Sequence, residues 1–293
     1  GRMVWENWIQ VKEAPFTFNP FPLVLSTIIF VLSYFIQIWA WYLITQKLKT
    51  AIPFGETLRS WFYSQLGKYL PGKVWILLGR FYFYQSKGKS KEAISLALYF
   101  ETVTMVLGGG LIFLFALFFF KEKEIFQVHQ PFHWLTLLLL VLAFISLHPR
   151  VLQKILNWIL FQFGREPIPL SISYSDILWV LSICILSWII GGIGFYLFID
   201  SVFPVSSKNI LFLTGALAIS SILGLIVLFA PSGLGVREGA LVYLLSYTMP
   251  GSVAVIISIL TRIWMTLIEI GLIGVIYLVS QFRKGFKKKD QHV

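Results

Sequence analysis

Several charged side chains stand inside otherwise apolar stretches of this sequence, and they are its best candidates for chemistry. Glu101 lies in LALYFETVTMVLGGG and Arg262 in ISILTRIWMTLIEIG. Arg237 and Glu238 stand together at the start of another apolar run. Such a charge must face protein, water or an opposite charge, because hydrocarbon cannot solvate it. We therefore expect these four side chains to form one central network that binds a charged group; a purely structural set of ion pairs is the alternative.

Two Pro–Gly breaks, in LGKYLPGKVW and FAPSGLGVREG, interrupt apolar regions near these charges. Such a break is stable only inside protein or beside a wet cavity, because the backbone groups freed by the proline need partners. A helix that starts after the break directs N–H groups and a partial positive charge into that cavity. An anionic group such as phosphate would bind there. A kink at the membrane interface without a ligand is the alternative.

The composition is that of a membrane protein. The 293 residues are 57% hydrophobic and 13% charged, and so little charge cannot cover a soluble globule. The net charge of +11 is explained by positive loops that face anionic lipid, so no nucleic-acid partner is expected. The only cysteine, Cys184, excludes an internal disulfide. The four histidines form no metal-spaced cluster, so no metal and no cofactor are expected.

The elements that position these residues are apolar segments of about 20 residues, the length needed to span a bilayer. Five unbroken candidates are Leu23–Thr45, Ala93–Phe120, the shorter Trp134–Leu147, Ile177–Ile199 and Val253–Ser280. The broken regions Trp61–Tyr84 and Ile210–Tyr247 are expected to be re-entrant hairpins, and FGETLRSWFYSQL before the first break an interfacial amphipathic helix. With this layout most lysines and arginines fall on one side of the membrane, which places the C-terminus in the cytoplasm.

The two broken regions share a layout, since each follows a span, contains a break and an arginine, and precedes a span with a buried charge. Pro71 stands nearly as far before Glu101 as Pro231 stands before Arg262. We therefore predict an all-α polytopic membrane protein with an inverted repeat of span–re-entrant hairpin–span units, a design found in transporters. The single membrane domain 1–293 contains a first repeat at about 21–120, a connecting span at about 131–148, a second repeat at about 174–281 and a basic cytoplasmic tail at 282–293.

Together, LGKYLPGKVWILLGR, LYFETV, APSGLGVREGAL and LTRIWMTLIEIG resemble the flippase-like membrane family related to the transmembrane region of lysylphosphatidylglycerol synthetases. The resemblance covers nearly the whole chain and implies movement of a lipid or glycolipid between leaflets. The positions it implies for head-group binding are Lys73, Arg80, Glu101, Arg237, Glu238 and Arg262. Those it implies at the breaks are Tyr69, Pro71, Gly72, Pro231, Ser232, Gly233 and Gly235, with Ser232 where many members have Gly. Thr104 and Glu269 are secondary candidates, on the helical faces of Glu101 and Arg262.

We expect a lipid flippase or scramblase with no catalytic residue, in a prokaryotic plasma (inner) membrane. Its cargo would be a charged-head-group phospholipid, an aminoacylated lipid or a polyprenyl-linked glycolipid, and its partners membrane lipids and a lipid-modifying or glycan-synthesis enzyme. Because no soluble acyltransferase-like domain follows the tail, lysyl transfer is not expected, and a first span is either missing or removed. One alternative is a membrane-embedded transferase that uses a lipid-linked donor, with Glu122, Glu124, His129 and His133 as candidates. The other is a noncatalytic partner of a synthase.

Overall fold

The structure is a computed structural model, and its described residues are 15–70, 74–119, 144–162, 172–227 and 233–289, with positions 134, 137, 138, 141 and 142. Every regular element within these residues is helical, which confirms the all-α prediction. Five helices are long and apolar enough to cross a bilayer. The chain is therefore an integral membrane protein.

Nine helices are numbered in chain order within the described residues. They are α1 (Pro20–Lys47), α2 (Phe54–Gln65), α3 (Val74–Ser86), α4 (Lys91–Phe119), α5 (Pro149–Gln162), α6 (Tyr174–Val202), α7 (Ile210–Ile226), α8 (Val236–Leu245) and α9 (Gly251–Lys289). A 3₁₀ turn, Leu66–Tyr69, extends α2, and another, Ser207–Asn209, precedes α7.

Four of the five predicted unbroken spans correspond to α1, α4, α6 and α9, with ends that differ by a few residues. The fifth, Trp134–Leu147, falls partly outside the described residues, and the positions described between 134 and 146 are helical. The remaining long apolar helix is Ser207–Ile226, which contains α7 and lies in the second broken region. By its length and composition α7 can cross a bilayer, whereas a re-entrant arm was expected there.

One other expectation differs from the structure. The helix α2 does not lie at an interface with its apolar face in lipid, because Trp61 and Phe62 are buried in the protein core with 3% and 0% of their surface exposed. Their contacts with neighbouring helices bury more of these large rings than a lipid surface would. The predicted basic tail 282–293 continues α9 as helix as far as Lys289, because lysine and arginine are good helix formers and no proline interrupts them.

Helices α1 and α6 form the central antiparallel pair. At one end the Thr17 N–H donates to the Val202 carbonyl at 2.9 Å. At the other end Lys47 Nζ lies 2.7 Å from a carboxylate oxygen of Asp176. Around this pair, α7 packs on α4 and α2 packs on α9. Each broken region therefore contacts the final span of the opposite half.

Glycines permit the closest helix contacts. A Cβ atom on Gly192 of α6 would stand 2.0 Å from Oγ1 and 2.5 Å from Cβ of Thr214 on α7. A Cβ atom on Gly109 of α4 would stand 2.9 Å from Ile222 Cδ1. At Gly192 the helices α6 and α7 lie too close together for a larger residue, whereas at Gly109 the Ile222 and Trp188 side chains would have to shift. These glycines thus allow the close spacing of α4, α6 and α7.

Replacing Gly192 should therefore destabilise the fold. We expect Gly192→Ala to lower the free energy of unfolding by about 1–3 kcal/mol, the usual cost of overpacking. Gly271→Ala is the matched control, since nothing lies within 4 Å of its Cβ position. Thermal unfolding in detergent micelles measures both variants, and equal melting temperatures would contradict the contact.

Candidate functional site

A buried ion pair joins α3 to α4. An Nη1 proton of Arg80 is donated to Glu101 Oε2, and Trp61 Nε1 donates to Glu101 Oε1 at 3.3 Å. The guanidinium also lies over the Trp41 ring, 4.6 Å from its centroid. Arg80 is 3% exposed and Glu101 8% exposed. Both charges are thus compensated by each other and by neighbouring rings.

A second ion pair joins α8 to α9 with the opposite polarity. Here Arg262 of α9 donates to Glu238 Oε1 of α8. Glu238 Oε2 also accepts the Gly235 N–H at 2.7 Å, so this carboxylate satisfies a backbone donor at the start of α8. In the first half the arginine is on the short helix, whereas in the second half it is on the long one.

A third cluster surrounds Glu269 on α9. Its Oε1 accepts a hydrogen bond from the Tyr34 hydroxyl at 2.6 Å. Its Oε2 accepts hydrogen bonds from Lys68 Nζ and, at 3.2 Å, from the Tyr69 hydroxyl. Tyr69 also lies 3.5 Å from Thr266 Oγ1 on α9. The 3₁₀ turn just before the first break is therefore held against α9 and α1.

In each broken region a glycine lies where two segments of backbone come very close together. A Cβ atom on Gly67 would stand 2.6 Å from the backbone carbon of Trp75, and one on Gly233 would stand 2.7 Å from Gly224 Cα. Gly233 and Gly235 have φ angles of 70° and 87°, which glycine adopts without strain. These two glycines of the second break are therefore required by the backbone.

Arg237 differs from the other cations of the site. Its Nη2 donates to Met265 Sδ at 2.9 Å, and a thioether sulfur is only a weak acceptor. It interacts electrostatically with Glu269 and Glu238, but within the described residues it forms no ion pair with a carboxylate. Its side chain keeps donors for a further partner.

Arg237 lies on the wall of a cavity of about 550 Å³. Helices of both halves surround this cavity, namely α1, α2, α3, α4, α6, α7 and α8. Its charged lining residues are Lys68, Arg80, Glu101 and Arg237. Most of the other lining side chains are apolar, and among them are Val74, Leu77, Val106, Ile222 and Leu225. Cationic groups thus meet an apolar chamber, which suits an amphipathic ligand.

The structure distributes the expected residues over different places. Arg80, Glu101 and Arg237 line the cavity, whereas Glu238 and Arg262 line a second, small pocket that Arg237 also lines. Three members of the expected network, Arg237, Glu238 and Arg262, lie together, and Arg262 pairs with Glu238. Glu101 is apart from them because it pairs with Arg80. Pro71, Gly72, Lys73, Pro231 and Ser232 lie outside the described residues, as do Glu122, Glu124, His129 and His133.

The two secondary candidates, Thr104 and Glu269, have different surroundings. Thr104 is fully buried and its hydroxyl donates to the Phe100 and Glu101 carbonyls, so it satisfies backbone on its own helix. Glu269 is central to the third cluster. Sequence reasoning missed its partners Tyr34 and Lys68, although Lys68 stands inside the first break motif and was a visible signal.

Within the described part of the chain, no group of three or more His, Cys, Asp or Glu residues could hold a metal ion. The comparison with known families matches residues 3–274 to the family described as lysylphosphatidylglycerol synthase TM region. That range contains every charged residue of the three clusters. No curated protein matches the chain.

The Arg80–Glu101 pair should be costly to break. We expect Glu101→Gln to lower the free energy of unfolding by about 3–5 kcal/mol, because it leaves the buried Arg80 charge uncompensated. The double variant Arg80→Gln/Glu101→Gln should lose much less than the sum of the single losses, and a double-mutant cycle of unfolding in micelles measures this.

The pair Lys87–Glu56 provides the matched control between α2 and α3. Its atoms lie 2.9 Å apart, but the side chains are 41% and 31% exposed. Glu56→Gln should cost at most about 1 kcal/mol, as solvent screens exposed pairs. If Glu101→Gln costs no more than Glu56→Gln, the buried pair does not hold α3 to α4.

Proposed function

We propose that this chain, which belongs to the lysylphosphatidylglycerol synthase TM region family, moves a charged-head-group lipid between bilayer leaflets as a flippase or scramblase. The observation that carries the proposal is Arg237, a cation without a carboxylate ion pair in the described structure, on the wall of an apolar cavity of about 550 Å³. Family membership supports a lipid as the cargo. The cavity supports a passage for its head group.

The helix contacts support an inverted repeat as the basis of movement. If α1 to α4 form one repeat and α6 to α9 the other, α2 corresponds to α7 and α4 corresponds to α9. The contact of α4 with α7 then has a counterpart in the contact of α9 with α2, and both contacts occur. The Arg80–Glu101 pair likewise matches the Glu238–Arg262 pair with its charges exchanged. Two related halves around one cavity can rock to expose it alternately to each leaflet.

The first broken region is best assigned as a re-entrant hairpin. Helices α2 and α3 have 12 and 13 residues, which correspond to about 18–20 Å of helix. The hydrocarbon core is about 30 Å thick, so a helix of this length reaches into the membrane and returns. The helix α8, with 10 residues, is shorter still. Residues near the ends of α2, α3 and α8 line the cavity, namely Gln65, Val74 and Arg237.

The Glu269 cluster is a gate between the halves. Lys68 and Tyr69 belong to the first half and Glu269 to the second, and these contacts bring α9 against the tip of the first hairpin. A widening of the cavity at this point requires them to part. Lys68 and Arg237 line the same cavity, so an anion bound there would also attract Lys68 and weaken its hold on Glu269.

The expected topology and class complete the proposal. The excess of lysine and arginine on one side of the predicted layout supports a cytoplasmic C-terminus, and we place the protein in a prokaryotic plasma membrane. The protein acts as a transporter and not as an enzyme, with membrane lipids as its partners. A lipid-modifying or glycan-synthesis enzyme would supply the cargo. Arg80 orders the wall of the cavity, since its charge is already compensated, and Arg237 contacts the head group.

Transport in liposomes tests the proposal. The purified protein should move fluorescent phospholipids across the bilayer faster than protein-free liposomes, as measured by chemical quenching of the outer leaflet. Arg237→Gln should slow transport by a factor of about ten to a hundred, because a hydrogen bond to a charged group contributes about 1.5–3 kcal/mol. Arg150→Gln is the matched control, since Arg150 is exposed on α5, away from the cavity. Transport equal to empty liposomes for anionic, aminoacylated and polyprenyl-linked lipids would refute the function.

Cross-linking tests the gate. Tyr69→Cys/Thr266→Cys, joined by a flexible cleavable bifunctional thiol reagent, should lose transport at least tenfold and regain it when the reagent is cleaved. The native Cys184 is fully buried and will not compete for the reagent. Glu56→Cys/Lys87→Cys joins two helices of one hairpin and should remain active when cross-linked. Undiminished transport in the cross-linked Tyr69–Thr266 variant would show that this contact does not open.

A further inference from the structure

The charges around the cavity do not balance within the described residues. Four cations and three carboxylates form the three clusters and the Arg237 position. The cations are Lys68, Arg80, Arg237 and Arg262, and the carboxylates are Glu101, Glu238 and Glu269. The excess is one positive charge. In a medium of low dielectric such an excess is costly, and a ligand with one negative charge removes it.

All three carboxylates are already occupied. Glu101 accepts from Arg80 and Trp61, and Glu238 accepts from Arg262 and the Gly235 N–H. Glu269 accepts three donors, one of them Lys68. An ammonium group of a ligand would have to displace one of these internal cations. The displaced cation would then be left without its counter-charge, so a cationic head group gains little by binding here.

The hydrogen-bond donors that Arg237 has left can bind an anion. A guanidinium has five N–H donors, and the thioether of Met265 occupies one of them. Its planar fork matches two oxygens of a phosphate. Lys68 and Arg80 also line the cavity, so a positively charged head group on the ligand would be repelled by cations on more than one wall.

We propose that the lipid moved by this protein has one net negative charge, namely a phosphodiester whose head group carries no compensating cation. Arg237 binds the phosphodiester oxygens, and the bound anion offsets positive charge that the described residues of the cavity have in excess. Zwitterionic and aminoacylated lipids are disfavoured because none of the three carboxylates Glu101, Glu238 and Glu269 is free for their ammonium groups. This inference rests on the proposed lipid transport and narrows its substrate class.

The test compares head groups on identical acyl chains with the fluorophore on one chain. Liposomes with the full-length protein receive labelled phosphatidylglycerol, phosphatidylcholine or lysylphosphatidylglycerol, whose net charges are minus one, zero and plus one. We expect phosphatidylglycerol to cross at least about tenfold faster than the other two. Arg237→Gln should abolish this preference, whereas Arg237→Lys should keep part of it because the charge remains and the fork is lost.

A binding measurement keeps the inference testable if a variant fails to fold. Short-chain phosphatidylglycerol should raise the melting temperature of the wild-type protein in neutral detergent, because a ligand that binds only the folded state stabilises it. Short-chain phosphatidylcholine and inorganic phosphate serve as the other arms and should have little effect. Stabilisation by inorganic phosphate alone would assign the site to free phosphate and overturn a lipid class.

The outcomes separate the two proposals. If lysylphosphatidylglycerol crosses as fast as phosphatidylglycerol, or faster, the monoanionic class is wrong while lipid transport stands. If all three lipids cross at one rate above that of empty liposomes, head-group charge is not selected and the inference is again wrong. If no lipid crosses faster than in empty liposomes, the proposed transport itself fails.

Discussion

The need to compensate every charge inside the protein is the constraint on which the rest of this structure depends. In a bilayer no water shell is available for a buried arginine or glutamate, so each must find its partner on a neighbouring helix. Arg80 finds Glu101, Arg262 finds Glu238, and Lys68 finds Glu269. These pairs tie the short helices α3 and α8 to the long helices α4 and α9, and the turn before the first break to α9. The same contacts that hold the fold therefore shape the cavity.

Close helix packing determines the rest of this arrangement. Glycines allow α4, α6 and α7 to approach closely, and both broken regions close on a glycine at a tight crossing. The short helix α2 packs on α9, the last span of the other half, whereas α3 and α8 pack on the last spans of their own halves, α4 and α9. A cavity between the halves results, with an apolar lining that suits acyl chains and with cations at its wall. Arg237 stands out because its acceptor is a sulfur atom and not a carboxylate.

Much of the fold could be predicted because membrane spans leave a strong composition signal. The segments of α1, α4, α6 and α9 are long apolar runs, and only helices satisfy all their backbone groups in lipid. The site was predicted less well. Arg262 was expected in one network with Glu238, which is its partner in the structure. Glu101 was expected in the same network but pairs with Arg80 on the short helix α3, whose packing no local pattern reveals. Trp61 and Phe62 were assigned to a lipid interface, since an amphipathic pattern does not show whether its apolar face meets lipid or protein.

The sequence by itself determined that this chain is helical, that it belongs in a membrane, and that charges at matching places follow two breaks. These properties depend on local composition and spacing, because an apolar segment in a bilayer must form a helix to satisfy its backbone hydrogen bonds. Only the tertiary structure decided which charge pairs with which, that Lys68 and Tyr34 join Glu269, and that Arg237 lines the cavity without an ion pair. Pairing depends on distances of a few ångströms between residues far apart in the chain. Those distances are set by close helix packing, which is a property of the whole fold.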